Sequence, residues 1–214
     1  MKVVYTANYG NYDRLEDPAV VNNDWDYICF TDNPNLKSKV YEIIHLPSTF
    51  KDSAYMARKV KLQPHEFLPD HEINVWHDCS MRMLVDPDKL VADHVKKDFN
   101  IMDHPFHWCA YKESKLCIKI GKDDTKIMYN QTQRYLKDKM PENLGLVASG
   151  VQVRRNTKLN IKFLNAWWKE VENGSKRDQL SFNYVAWKMN FRYHKMPWRI
   201  CKGNYLALGG HLKR

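Results

Sequence analysis

The stretch Ile73-Asn74-Val75-Trp76-His77-Asp78-Cys79-Ser80 constrains this chain most, because a short apolar run with two β-branched residues stops abruptly on an acid. Its length, with Ile73 and Val75, predicts a buried strand rather than a helix. Asp78 then stands at the carboxyl end of that strand. In open α/β sheets ligands collect at this edge, so the carboxylate is poised for a metal or a polar ligand. A turn aspartate leaving a strand is the plainer reading of the same residue.

A chain of 214 residues can build one sizeable α/β core, and a single domain over residues 1–214 is expected. Hydrophobic residues at 43%, with seven Trp, twelve Tyr and eight Phe, exclude a disordered chain. No apolar run approaches the roughly 18 residues of a membrane span. Met1-Lys2 leads into Val3-Val4-Tyr5 and then polar Thr6 and Asn8, unlike a signal peptide, so the cytosol is the expected compartment. Five cysteines without a Cys-x-x-Cys pair argue against a disulfide framework. His77, Cys79, His104, His107 and Cys109 lack the spacing of a zinc finger. A net charge of +9 and a pI of 9.2 attract phosphate-bearing ligands or other polyanions. Because Lys and Arg are spread along the chain, a dedicated nucleic-acid tail is not expected.

Residues 2–7 read as a first strand, left by a Tyr- and Asn-rich loop over 8–13 that a ligand could meet. Residues 25–30 read as a second strand, stopped by Thr31-Asp32-Asn33-Pro34, and residues 40–46 as an edge strand. Asp52 or Ser53 caps a helix to about residue 67, its regular part limited by Pro64, on which Arg58 and Lys61 share a side, either to hold a diphosphate or as a solvated basic stripe. Asp86-Pro87 opens a helix to about residue 97. Residues 100–109 mix aromatics with imidazoles, for a sugar site or a packed loop, with Trp108 packed. A helix capped at 123–125 is expected to run to about 138, and 144–153 is expected to be a buried strand whose glycines let a ligand approach closely. Two helices follow, with core stripes Leu159, Phe163, Trp167, Val171 and Leu180, Tyr184, Trp187, Phe191. Asp178 falls in the first turn of the second, where the helix dipole favours a carboxylate whatever its function. His211 follows Gly209-Gly210 and is expected to be exposed.

In this order the motifs resemble the nucleotide-sugar glycosyltransferases of the GT-A fold. Val75-Trp76-His77-Asp78-Cys79-Ser80 resembles their Asp-x-Asp metal motif with Ser80 in place of the second acid. Arg177-Asp178-Gln179-Leu180-Ser181 is similar to the Asp-Gln segment that faces the donor sugar in retaining members, and His211 with Lys213 to their late metal-binding histidine and its basic neighbour. Taken with Tyr5-Thr6-Ala7-Asn8-Tyr9-Gly10, Cys29-Phe30-Thr31-Asp32-Asn33 and Ala57-Arg58-Lys59-Val60-Lys61, the whole resembles a family of glycosyltransferase-like domains. Plant members of that family are tied to wall polysaccharide synthesis, and the likeness extends to chlorovirus glycosyltransferases that decorate capsid protein.

This resemblance implies a GT-A-like three-layer α/β/α sandwich with a central mixed, mostly parallel sheet. It implies Mn²⁺ or Mg²⁺ on Asp78, Ser80 and His211. The nucleotide of a UDP-sugar, of UDP-glucose or UDP-rhamnose type, would meet Tyr5, Thr6, Ala7, Asn8, Thr31, Asp32, Arg58, Lys61 and Lys213. Ser149, Gly150, Asp178 and Gln179 would meet the sugar, the last two as catalytic residues. The acceptor would be a hydroxyl of a glycan or glycoprotein, the course retention, and the setting capsid glycosylation by a virus-encoded enzyme in the host cytosol. Asp178 could instead serve as the base of an inverting transfer. With one carboxylate fewer, metal binding should depend on the donor diphosphate. Two other classes stay open: a glycan-binding or catalytically silent module, suggested by Ser80, and a nucleic-acid-binding domain, suggested by the charge and the aromatics.

Overall fold

The computed structural model describes residues 1–209, 211 and 212. Its strands are β1 (Lys2–Asn8), β2 (Asp26–Thr31), β3 (Glu42–His45), β4 (Ile73–His77), β5 (Met81–Met83), β6 (Phe99–Asp103), β7 (Val147–Arg155), β8 (His194–Met196) and β9 (Leu206–Leu208). Seven of them form one sheet in the order β3-β2-β1-β4-β7-β6-β8, while β5 and β9 pair separately. β1 runs parallel to β2 and β4, β2 to β3, and β6 to β8, and β7 is antiparallel to both β4 and β6. The sheet is therefore mixed and mostly parallel. Because β4 and β6 flank the reversed β7, they point the same way, and Asn8, Thr31, His77 and Asp103 end on one edge.

Side chains alternate between two covered faces, as period-2 geometry requires. Val3, Tyr5, Ile28, Phe30 and Trp76 pack with Met56 and Val60 of α1 (Ser53–Leu62). Val4, Tyr27, Cys29 and Val75 pack on the other face with Met81, Met83, Leu90 and Leu206. One outer layer holds α1, α6 (Lys158–Glu172) and α7 (Gln179–Lys188), and the opposite one holds α3 (Pro87–His94) and the β5–β9 pair. The expected three layers are present. All five cysteines are buried free thiols. Among the described residues no helix is long and apolar enough to cross a membrane.

Local chemistry sets the helix starts. Asp52, Asp86, Asp124 and Thr157 each accept a backbone N–H at the start of α1, α3, α5 (Thr125–Lys137) and α6, satisfying donors that a helix leaves unpaired. The helix expected over 53–67 breaks at Gln63, where Pro64 opens α2 (Pro64–Phe67), and the one expected to reach 97 stops at His94. A helix not expected, α4 (Ala110–Lys119), turns Tyr111, Glu113, Ser114 and Cys117 inward, a face too polar to read as an apolar stripe.

Three expected core residues lie outside. Leu159 is 62% exposed because Asn160 takes the inward place in the first turn of α6, its amide donating to the carbonyls of Asp98 and Arg155 at 2.9 Å each. Trp108 is 59% exposed, with the Lys112 ammonium 5.5 Å from its ring centre, while Cys109 and Ala110 fill the core beside it. Trp187 is exposed, while Leu180, Tyr184 and Phe191 of the same stripe are buried as expected.

Candidate active site

The strand edge opens into a cleft of about 540 Å³ between the loop after β1, the start of α1 and the turn after β4. Asp78 lies at its floor. Its N–H donates to the Gly150 carbonyl at 2.8 Å, and its Oδ1 accepts from the Trp76 indole at 3.0 Å and from Lys61 Nζ at 3.2 Å. With Oδ1 so held, Oδ2 of the one-third exposed side chain is the atom available to the cleft. β7 carries glycine opposite because a Cβ at position 150 would stand 3.2 Å from Asp78 Oδ2 and 2.7 Å from Met81 Cε.

Beneath Asp78 a buried ammonium joins two acids. Lys61 is fully buried, and its Nζ is 2.8 Å from Asp178 Oδ2, 3.2 Å from Asp78 Oδ1 and 3.0 Å from Ser149 Oγ. Ser149 in turn donates to Asp178 Oδ1 at 2.9 Å, and Arg58 Nε lies 3.8 Å from the same oxygen. Burial alone would raise both carboxyls, but Lys61 and Arg58 outweigh it, holding Asp78 below and Asp178 far below the ordinary carboxylate range. Both acids are therefore ionised at neutral pH.

The C-terminal segment completes the opposite wall. β9 pairs with β5 directly after Ser80, and Gly209 N–H donates to the Ser80 carbonyl at 2.5 Å. A Cβ at Gly209 would stand 2.8 Å from that oxygen, so only glycine allows the approach. His211 then bridges Asp13, and Leu212 N–H donates to the Tyr12 carbonyl at 2.9 Å. His211 Nδ1 is 2.5 Å from Asp13 Oδ1, which leaves Nε2 for a ligand, the usual arrangement of a metal-binding imidazole with a carboxylate behind it.

Asp78, Ser80 and His211 thus line one cleft, together with Asp13. Carboxylate, hydroxyl and imidazole donors suit Mn²⁺ or Mg²⁺ once phosphate oxygens and water supply the remaining positions. The ligand atoms of Asp13, Asp78 and His211 do not converge within 4.8 Å of one another. Among the described residues, His104, His107 and Glu113 form the grouping that does.

Other expected contacts fall differently. Ala7, Asn8 and Arg58 line the cleft. Tyr5, Thr6 and Thr31 do not, because they are wholly buried: Tyr5 donates to the Lys61 carbonyl at 3.0 Å and Thr31 to the Asn8 carbonyl at 2.6 Å. Burial also pushes the Tyr5 phenol up to about 12, against the pull of Arg154. These three shape the cleft from behind. Asp32 accepts the Gly10 N–H on both oxygens, at 3.0 and 3.1 Å. Lys61 is neither a surface stripe nor open to a diphosphate, since two acids and Ser149 occupy it. Gln179 turns to Glu113, donating at 2.9 Å. Lys213 lies outside the described residues. Cleft residues to which the sequence gave no role of their own are Tyr12 and Asp13, within the loop a ligand could meet, Lys122, Lys176, and Arg177, within the segment likened to the Asp-Gln one. The loop over 8–13 was the signal for the first two; for the lysines there was none.

Residues 39–204 match the family described as TOD1/MUCI70, glycosyltransferase-like domain. No curated protein matches the sequence. In backbone the chain is similar to mouse xyloside xylosyltransferase 1 in its apo form, at 10% identity and a TM-score of 0.48, over 91% of this chain and 84% of that one. It is also similar to a glycosyltransferase involved in the glycosylation of the major capsid of PBCV-1, at 10% identity and a TM-score of 0.47, over 92% of this chain and 81% of the other.

Proposed function

The chain belongs to the TOD1/MUCI70 glycosyltransferase-like family, and from that premise we propose that it moves a sugar from a UDP-linked donor to a hydroxyl of a glycan or glycoprotein, with Mn²⁺ or Mg²⁺ as cofactor. One observation carries this reading. His211, far along the chain from Asp78 and Ser80, lines a single cleft with them and with Arg58, Lys122, Lys176 and Arg177 at the carboxyl edge of the sheet. A cleft of about 540 Å³ suits a nucleotide-sized ligand.

Departure of a diphosphate is the costly step, because negative charge builds on the leaving oxygen. A divalent cation held by Asp78, Ser80 and His211 would supply electrostatic stabilisation of that charge. Arg58, Lys176 and Arg177 add fixed positive charge beside it, and Lys213 is a further cationic candidate. Ala7 and Asn8 line the same cleft, which supports a nucleotide subsite beside them. Lys61 keeps Asp78 and Asp178 ionised without filling the cleft. Without a separate base for the acceptor hydroxyl, the likeness of Asp178-Gln179 to the Asp-Gln segment favours retention, and a capsid glycoprotein is the acceptor that the sequence resemblance favours. Five buried free thiols suit a reducing compartment such as the cytosol.

Incubation with Mn²⁺ and UDP-glucose, UDP-galactose or UDP-rhamnose should release UDP from one donor, and Asp78→Ala should abolish the release. Glycan binding with no turnover of any donor would mark a silent module instead.

A further inference from the structure

A second polar centre stands on the same edge of the sheet. Because β6 points the same way as β4, the loop leaving Asp103 emerges on the side where Asp78 lies. His104 and His107 from this loop meet Glu113 of α4. His107 Nδ1 and Glu113 Oε2 are hydrogen-bonded, Gln179 Nε2 donates to Glu113 Oε1 at 2.9 Å, and Cys117 Sγ lies 3.5 Å from that oxygen. His104 stacks on His107 at 5.2 Å between ring centres, with its Nδ1 accepting the N–H groups of Phe106 and His107. The Glu113 side chain is 6% exposed and the His107 side chain 32%, so a buried carboxylate orients a half-open imidazole through Nδ1 and leaves Nε2 without a hydrogen-bond partner among the described residues.

That geometry is a base with its orienting acid. Asp178 cannot fill the same role: its carboxylate is closed in by Lys61, Arg58, Ser149 and the Gln179 N–H, and such pairing makes it a poor proton acceptor. The dyad is also wired to the cleft. Arg177, which lines it, donates to Gln179 Oε1 at 3.1 Å, and Gln179 holds Glu113. Beside the dyad, Phe106 and Trp108 stand exposed, flat apolar faces of the kind on which sugar rings stack.

On the glycosyl-transfer reading, on which this rests, we propose that His107, oriented by Glu113, is the general base for the acceptor hydroxyl, with Phe106 and Trp108 forming the acceptor face. The hydroxyl proton passes to His107 Nε2 as the oxygen's electron pair bonds to the anomeric carbon. The bond from that carbon to the diphosphate oxygen breaks, its electron pair leaves with UDP, and the imidazolium returns its proton to solvent. This course inverts the anomeric centre, in place of the retention implied by the Asp-Gln likeness. Glu113 and Gln179 are positioning residues. The charged and titratable groups around the dyad are Asp103 and His104 from β6 and its loop, Glu113 and Cys117 from α4, and Arg177 before α7.

The test combines calorimetry of Mn²⁺ and UDP with turnover of whichever UDP-sugar is accepted, using methyl glycosides of glucose, galactose, xylose and rhamnose as acceptors. His107→Gln should leave Mn²⁺–UDP affinity unchanged and lower kcat about 10²- to 10⁴-fold. Glu113→Gln should lower kcat less, and Trp108→Ala should raise the acceptor KM with kcat nearly intact. The anomeric proton of the product should show inversion by NMR. Unchanged kcat in His107→Gln, or a retained anomer, overturns the assignment while leaving the donor site standing. Absence of Mn²⁺–UDP binding in the wild-type protein removes the underlying reading and this proposal with it. Stoichiometric Zn²⁺ binding to nucleotide-free protein, lost in His104→Ala, would make the cluster a metal centre and overturn it as well.

Discussion

Replacing Lys61 by Met tests whether the floor of the cleft is held by charge. The ammonium is wholly buried between Asp78 at 3.2 Å and Asp178 at 2.8 Å, so a methionine of similar length keeps the packing and strands two acids. Breaking a buried ion pair from one side costs about 3–5 kcal/mol. Arg58 remains 3.8 Å from Asp178, which places the expected loss near the lower limit, about 3 kcal/mol. For a chain of this size that lowers Tm by about 6–12 °C. The sign with pH is also fixed. In the wild type both folded carboxyls titrate below their unfolded value of about 4, so their contribution is full above that value and fades only as pH falls through the lower folded ones. Without Lys61, burial prevails and the folded values rise. The variant's deficit should then be largest at neutral pH and shrink as pH falls through about 5. Thermal melts followed by circular dichroism at neutral pH and at about pH 4.5 measure both. A loss under about 2 °C, or the same loss at both pH values, would refute the reasoning.

Three further substitutions probe the walls. Asp13→Ala should weaken Mn²⁺ binding in the presence of UDP about 10- to 100-fold, measured by calorimetry, because His211 loses the carboxylate on its Nδ1. Gly209→Ala should lower the same affinity while moving Tm by no more than about 4 °C, since its Cβ meets the Ser80 carbonyl 2.8 Å away and displaces only the terminal segment. Gly150→Ala should fold, because the nearest atom is the flexible Met81 Cε, yet bind Mn²⁺–UDP more weakly through pressure on Asp78 Oδ2, 3.2 Å from the new Cβ.

Much of the strand framework was legible because β1, β2 and β4 are short apolar runs ended by polar clusters, and the caps Asp52, Asp86, Asp124 and Thr157 are local signals. β8 and β9 span three residues each and exist through pairing with distant partners, which no local pattern encodes. α4 hid for a related reason: it buries Glu113 and Ser114, and Glu113 becomes tolerable only through His107 and Gln179. In the site, Asp78 was legible from its strand and His211 from its resemblance. The burial of Lys61 was not, because the three-residue spacing from Arg58 says which side it takes but not that Asp178, far along the chain, closes over it. Asp13 was hidden likewise, since its meaning depends on the Asp13–His211 bridge.

The most direct measurement is calorimetric titration of UDP into the protein with Mn²⁺, with chelator, and with Mn²⁺ again in Asp78→Ala. Binding that requires the metal and disappears in the variant is the expected result. UDP affinity that survives both chelator and Asp78→Ala, or no UDP binding under any of the three conditions, would contradict the metal-assisted donor site.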